Sequence, residues 1–248
     1  MTAPSRAPVA VVTGAARGIG RRIAAHFIDS GYFVVVTDID EDGALTCAHE
    51  LGAARAERMD VCDGRRVNAL LERVATDHDG IDVLVNNAGR MTQGPFANTT
   101  RDDFDAMIGV NITGIFNCVQ AVAPLMMPRK RGAIINLASV SSVRGGGAVG
   151  NVWYGASKAA VVAMTAGLAR ELGPHGVRVN AISPGVVETD MVREFMTPQV
   201  RERVLTRFPM GRLATADDVA RMAVFLASDG AAFVTGQTVA VDGGFLTN

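Results

Sequence analysis

The chain alternates between short, nearly continuous apolar runs and longer stretches whose apolar positions recur at helical spacing. PVAVVT (8–13), FVVVTD (33–38), AERMDV (56–61), DVLVNN (82–87), AIINLA (133–138) and RVNAIS (178–183) read as strands buried on both faces. Between them, IGRRIAAHFIDSG (19–31), DGALTCAHELG (42–52), DGRRVNALLERVATDHDG (63–80) and DDFDAMIGVNITGIFNCVQAVAPLMM (102–127) carry helix periodicity, several opening on an acidic residue and closing on Gly. Further helices are predicted over about 153–172 and 215–228, and TVAVDGG (238–244) reads as a last strand. Parallel neighbours need helical crossovers, so this alternation predicts an α/β architecture, a doubly wound parallel sheet with helices on both faces. No repeat, linker or low-complexity segment interrupts the pattern, and one domain over 1–248 is expected.

Composition narrows the function classes. With 24 Lys and Arg against 25 Asp and Glu the formal net charge is -1, so no global field draws the chain to nucleic acid or to an anionic membrane. The start, MTAPSRAPVA, lacks a secretory apolar core, and the apolar-rich stretch AAVVAMTAGLA (159–169) falls short of the ~18 residues of a spanning helix. A soluble, cytoplasmic protein is expected. Cys47, Cys62 and Cys118 are scattered and odd in number, which favours buried thiols over a disulfide framework or zinc site. The four histidines show no ligand spacing, so no metal is implied.

Chemistry first enters in VVTGAARGIG, which sets Gly14, Gly18 and Gly20 between the first strand and the first helix. Such glycines let a backbone approach a pyrophosphate, whose charge meets the N–H groups and dipole of the helix start. Asp38 ends the second strand 18 residues past Gly20, near the spacing of a carboxylate that binds a ribose 2'-hydroxyl and repels a 2'-phosphate. Arg17 argues weakly the other way, since a guanidinium there can hold that phosphate. NAD is therefore preferred, with NADP left open.

Seven motifs then occur in order: TGAARGIG (13–20), NNAG (86–89), Asn111 in NITG, Ser139 in NLAS, YGASK (154–158), PGVVET (184–189) and VDGG (241–244). This series resembles the short-chain dehydrogenase/reductase family over nearly the whole chain. The resemblance implies a Rossmann-type sheet of seven parallel strands, a nicotinamide-dependent oxidoreductase and, usually, a homotetramer. It places the family's proton-handling tyrosine on Tyr154 and its lysine on Lys158. Independently, their i, i+4 spacing puts both side chains on one helix face, where an ammonium favours the phenolate.

The resemblance also makes Lys158 a ligand of the nicotinamide ribose and Asn111 the anchor of a distorted helix and a water in a proton path. Asn87, Ala88 and Gly89 would narrow against the adenosine ribose, and Asp60 and Val61, ending the third strand, would meet the adenine. Ile19, in the glycine turn, and Ile39, beside Asp38, belong to the same cofactor set. Pro184 and Gly185 would pass under the nicotinamide, with the Val187 backbone and the Thr189 hydroxyl holding its carboxamide.

The serine is less simply placed. The family's usual spacing of 13 residues before the tyrosine selects Ser141, whereas alignment on the strand AIINLAS selects Ser139, 15 residues before Tyr154. Ser139 is preferred, because a hydroxyl at a strand end is better held for polarising a carbonyl than one in a Gly-rich loop. Ser141 and Ser142 are assigned to the loop.

The expected reaction interconverts a secondary alcohol and a ketone on a small-molecule substrate. The segments 90–96, 140–153 and 186–210 would form the pocket, with about 186–212 as a lid; Met191, Val192, Phe195 and Met196 make it apolar, and Arg144 or Arg193 is a candidate for an acidic group, although solvation is preferred for both. The enzymatic rival is an NADPH-dependent 3-oxoacyl-[acyl-carrier-protein] reductase, which PRKRG (128–132) and Arg17 permit and Asp38 disfavours. A catalytically idle nucleotide-sensing or scaffold protein forms a second class, but it would be expected to have lost part of the Ser, Tyr, Lys and Asn set. The apolar helix 159–169 exceeds what one sheet face needs, which suits a homodimer or homotetramer.

Overall fold

The computed structural model describes residues 6–52, 55–146, 150–189, 192 and 196–247. Its strands are β1 (Val9–Thr13), β2 (Phe33–Asp38), β3 (Arg55–Arg58), β4 (Val83–Asn86), β5 (Gly132–Leu137), β6 (Val177–Pro184) and β7 (Thr238–Val241). Its helices are α1 (Gly18–Asp29), α2 (Glu41–Leu51), α3 (Gly64–Asp77), α4 (Arg101–Ile108), α5 (Gly114–Met126), α6 (Ser141–Arg144), α7 (Val152–Leu172), α8 (Pro198–Leu205) and α9 (Ala216–Ala227).

All seven strands pair in parallel in the order β3-β2-β1-β4-β5-β6-β7. Central Val11 lies opposite Val35 on one side and Leu84 on the other. The chain builds outward from β1 to β3, then returns to β4 and builds the other way. That reversal opens a crevice beyond the C-terminal ends of β1 and β4, where ligands bind in sheets of this kind.

One face of the sheet is covered by α1, α2 and α9, which bury Ile23, Phe27, Cys47, Val219 and Leu226 against Val12, Val34 and Val85. On the other, α3, α5 and α7 bury Val67, Leu71, Ile115, Met126 and Val161 against Val11, Leu84 and Ile134. Each large aliphatic side chain so removed from water contributes about 1.5–3 kcal/mol, which is why runs of Val and Ile mark the strands. A smaller cluster of Val140, Val186, Val204, Phe208, Leu213 and Phe245 ties α8 to the ends of β5 and β6 and to the C-terminal turn.

Several expectations change. Strand β3 stops at Arg58, so Asp60 and Val61 lie beyond it, in the turn to α3. There the Asp60 carboxylate accepts the Cys62 N–H at 2.9 Å, a local bond that closes a turn in place of strand pairing. Cys62 is consequently exposed, while Cys47 and Cys118 are buried as expected. The long helix read over 102–127 is interrupted by a π-helical segment, Gly109–Thr113, between α4 and α5. The helix Arg101–Arg129 also carries a window of 18 residues with mean hydropathy 1.5, so by length and composition it passes the test for a membrane span that 159–169 fails. Half of that window is buried inside the protein, as in a core helix. Short α6 and the Pro-led α8 fall where only loop and lid were expected, and Met191, Arg193 and Phe195 lie outside the described residues.

Candidate functional site

The site begins at the β1–α1 turn. Gly14 (φ 62°) and Gly18 (φ 58°) hold left-handed backbone that favours glycine, and α1 starts with no side-chain cap and no acidic residue in its first turn. Its N–H groups and dipole are therefore left for an anion. A Cβ on Gly14 would stand 2.8 Å from the Ala88 Cα, and one on Gly20 would overlap the Asn87 amide and the Gly14 carbonyl. Ile19 is half-buried, and exposed Arg17 sits in extended conformation just ahead of the helix.

That turn is fastened from two sides. Asn87 donates its amide to the carbonyls of Thr13 (2.9 Å) and Gly14 (2.8 Å). In return the Thr13 hydroxyl accepts the N–H groups of Asn87 and Ala88, each at 3.0 Å. From below, the Cys47 thiol meets the Ala15 carbonyl at 3.3 Å, and burial pushes that thiol's pKa up, so it stays protonated. Thr13 escaped the sequence reading because a Thr in a strand reads simply as a β-former.

Asp38 closes β2 with its carboxylate turned toward the same turn: one oxygen accepts the Ala16 N–H at 3.0 Å and the other the Asp40 N–H at 3.1 Å. Each oxygen keeps acceptor capacity for a hydroxyl. Beside it Ile39 is exposed, and Val61, buried, is held by the Asn117 amide on its carbonyl at 2.8 Å. A cavity of about 330 Å³ next to this end of the sheet is lined by Glu41, Arg58, Asp60, Asp63 and Arg66.

At the end of β6, buried Pro184 accepts the Val140 N–H, and Gly185 packs close to Asp242 and Phe208. Val187 pairs with Ala214 through its neighbours: Ala214 donates to Val186 and Glu188 donates to Ala214. The peptide groups of Val187 itself thus face the other edge. Thr189 comes to the α1 start, its methyl 3.8 Å from where a Gly18 Cβ would be.

On the other side of the crevice, α7 presents Tyr154 and Lys158. A buried polar ladder seats this helix: the Asn86 amide donates to Asn136 (2.9 Å), and Asn136 donates to Thr165 of α7 (2.9 Å). The Ser139 hydroxyl lies near enough to the Tyr154 phenol to lower its pKa, and Ser141 enters only through its backbone N–H, which the Ser139 hydroxyl accepts at 3.1 Å. The structure thus brings Ser139, at the strand end, to the tyrosine, while Ser141 begins α6.

Burial raises the Tyr154 pKa above the ordinary phenol value, and the nearby Ser139 hydroxyl offsets only part of that rise. The Lys158 ammonium, 4% exposed, stands 5.8 Å from the Tyr154 ring centroid and donates to the Leu137 carbonyl at 2.7 Å. Burial brings its own pKa down to about 8. The phenol is therefore shifted upward, not downward as the pairing with lysine alone suggests.

Asn111 is fully buried in the π-helical segment. Its side chain closes a two-way clamp on Arg90, accepting the N–H and donating to the carbonyl, each at 2.9 Å, and it also donates to Ser157 of α7. Gly89 lies between, where a Cβ would be 3.6 Å from both Asn111 Oδ1 and Lys158 Nζ. Arg144, considered for an acidic group, instead has its guanidinium 5.1 Å from the ring centroid of Phe245. Sequence reasoning missed Asn151, which caps α7 and appears only as one residue of a Gly-rich insertion until the helix start is known.

The sequence profile of the family described as enoyl-(acyl carrier protein) reductase matches residues 14–246. The 3-oxoacyl-[acyl-carrier-protein] reductase FabG of Thermotoga maritima is 37% identical over 242 residues, spanning 96% of this chain and 97% of its own. Among solved structures, that of gox2181 matches with a TM-score of 0.94 at 32% identity, covering 98% of this chain and 97% of the other. The 3-ketoacyl-(acyl-carrier-protein) reductase of Brucella melitensis, solved in complex with NADH, matches with a TM-score of 0.89 at 34% identity, covering 97% of this chain and 98% of its own.

Proposed function

Since the chain belongs to the short-chain dehydrogenase/reductase family, and is an NAD(P)-dependent oxidoreductase acting on CH–OH and carbonyl groups, we propose that Tyr154 is its general acid/base and NAD(H) its preferred cofactor. The observation that carries this reading is the placement of the Lys158 ammonium 5.8 Å from the Tyr154 ring centroid with the Ser139 hydroxyl beside the phenol, at the crevice where the strand order reverses.

The residues present suit a dinucleotide. Gly14, Gly18, Ile19 and Gly20 would admit the pyrophosphate to the uncapped α1 start. Asp38, with Ile39, would take the adenosine ribose, and Asp60 and Val61 the adenine. Asn87, Ala88 and Gly89 would line the ribose side, with Pro184, Gly185, Val187 and Thr189 at the nicotinamide. When bound, the nicotinamide supplies or takes the hydride.

The chain's own groups handle the proton. A phenol raised above its ordinary value holds its proton at neutral pH and can deliver it to a carbonyl oxygen in reduction; in oxidation it takes that proton from the alcohol. Ser139 would hold the same oxygen by its hydroxyl, fixing substrate against the phenol. Lys158 remains largely ammonium below about pH 8, a positive charge that favours phenolate in the transition state and reaches toward the nicotinamide ribose. Asn111 supports the relay by fixing Arg90 and Ser157 around them.

Asp38 supports NAD over NADP, since a carboxylate repels a 2'-phosphate. The exposed Phe96, Val143 and Met210, with Trp153, favour a small to medium organic substrate with an apolar part, under a lid formed by about 186–212. We read 1–248 as one domain, cytoplasmic, and assembled as a homodimer or homotetramer. In support of assembly, Ile115, Phe116, Val119, Met164 and Leu168 leave an apolar groove between α5 and α7.

A second reading, reduction of a 3-oxoacyl group on a carrier protein with NADPH, draws on the names of the Thermotoga and Brucella relatives. Turnover of ethyl acetoacetate and a panel of ketones with NADH and NADPH separates the two. The expected result is higher kcat/KM with NADH, and loss of about 10²–10⁴-fold in Tyr154→Phe, the scale of positioned acid/base catalysis. A large NADPH preference overturns the cofactor assignment and favours the second reading, and a fully active Tyr154→Phe overturns the role of Tyr154.

A further inference from the structure

The side chain of Asn151 joins the segment that follows β4 to the first turn of α7. Asn151, 8% exposed, caps α7 with its carboxamide oxygen, which accepts the N–H groups of Trp153 (3.1 Å) and Tyr154 (3.3 Å). The same oxygen accepts the Thr92 hydroxyl at 2.6 Å. On its other side the amide nitrogen donates to the Thr99 hydroxyl (2.8 Å) and toward the Gln93 carbonyl (3.4 Å). The backbone repeats the link, since the Asn151 N–H donates to the Thr92 carbonyl at 2.9 Å.

The orientation of the amide follows from its partners. Backbone N–H groups need an acceptor and a carbonyl needs a donor, so oxygen faces the helix and nitrogen the segment. An ordinary cap needs only the oxygen: Ser, Thr or Asp would satisfy the same two N–H groups. Asn adds two donors, and both are spent on 93–99. Next to it, Gly150 lies under the Tyr154 ring so closely that a Cβ there would overlap the ring.

We propose that Asn151 is a positioning residue, whose carboxamide straps the substrate-side segment 92–99 to the backbone of Tyr154 and so sets where the phenol stands relative to the bound carbonyl. This rests on the role of Tyr154 given above. The strap reaches Tyr154 from the pocket side, whereas Asn111 holds the other end of the same segment, at Arg90, to Ser157. The segment is thereby pinned at both ends to α7, and a substrate seated on it is placed with the proton donor. A misplacement on the scale of 1 Å in such a constellation costs up to about 10²-fold in rate.

Asn151→Ser keeps an oxygen for the helix cap and removes the two donors, so the strap is cut with the cap retained. Thr99→Val cuts it from the other side. Trp153, the one tryptophan in the chain, reports on the junction, because its indole N–H faces the Phe96 carbonyl at 3.4 Å and its ring meets Phe104 edge-on.

Both variants are expected to shift Trp153 emission to the red and to lower kcat for ethyl acetoacetate about tenfold, with the NADH dissociation constant and thermal midpoint close to the parent's. Unchanged kcat overturns the proposal, as does a parallel fall of kcat, NADH affinity and thermal midpoint, which marks a merely structural residue. Should Asn151→Ser not fold, Thr99→Val decides on the same criteria. Full activity in Tyr154→Phe, or no turnover by the parent with NADH bound, sinks the reading of Tyr154 instead; unshifted Trp153 emission in both variants then overturns the strap by itself.

Discussion

Lys158 holds an ammonium where there is almost no water, and its hydrogen bond to the Leu137 carbonyl does not restore what burial removes. The sign of the consequence follows from its lowered pKa of about 8. In the unfolded chain the lysine titrates near ~10.4, so between about pH 8 and that value the unfolded state binds more protons and stability rises with pH. Below about 8 the whole penalty is present, at most about 3 kcal/mol for a depression of this size. Lys158→Met, which keeps the apolar stem without the charge, is expected to melt higher than the parent at pH 7 and to lose that advantage as the pH approaches 10, while turnover collapses. Thermal unfolding of both proteins across that range, with no dinucleotide added, checks it; a variant that melts lower at pH 7 refutes the account.

The β1–α1 element shows how little space the cofactor turn leaves. An alanine at position 20 raises intrinsic helix propensity, yet its methyl would overlap the Asn87 amide and the Gly14 carbonyl and lie 2.9 Å from the Ala15 Cα. Gly20→Ala is expected to displace the α1 start and weaken NADH binding by at least tenfold, roughly the 1.4 kcal/mol of one lost charge-assisted bond, as read by calorimetric titration. Unchanged affinity rejects the close approach.

At this scale the legibility of the chain divides clearly. Strands β1, β4 and β6 were readable because buried Val, Ile and Leu runs have few other uses, and the glycine turn because positive φ asks for Gly. The irregular helix around Asn111 is legible only through the family resemblance. What the sequence could not carry were side chains that close on distant backbone. Asn111 meets Arg90 across 21 residues, and Asn151 meets Thr92 across 59, partners that exist only once the sheet has set the loops side by side. Strand β3 was overextended because an edge strand is only partly buried and its apolar pattern has no sharp end.

The whole molecule separates its chemistry from one of its main electrostatic anchors along the sheet axis. Every candidate cofactor or catalytic group lies at or beyond the C-terminal ends of the strands or on the helical segments that follow them. At the opposite end Asp82, 6% exposed and one residue before β4, accepts the Val9 N–H (2.8 Å) and bonds from Arg6 (2.9 Å), Arg131 (2.9 Å) and Arg129 (3.3 Å). It thus gathers the start of the chain and the α5–β5 connection onto the central strands. Burial alone would raise its pKa, but the Val9 N–H, Arg131 and Arg6 outweigh it and hold the carboxyl below its usual range. A carboxylate so depressed contributes stability above the unfolded value of ~3.9 and loses it as the pH falls through the folded one. Asp82→Asn leaves the guanidinium groups without their shared charge; removing one member of a buried pair costs about 3–5 kcal/mol, and because these arginines are 22–52% exposed about 2 kcal/mol is expected. Urea unfolding at pH 7 should show that loss, narrowing below pH 4, with kcat and NADH affinity at parent values because the site is at the other end of the strands. Lower kcat at unchanged stability would mean that the two ends of the sheet are coupled, contrary to the separation described.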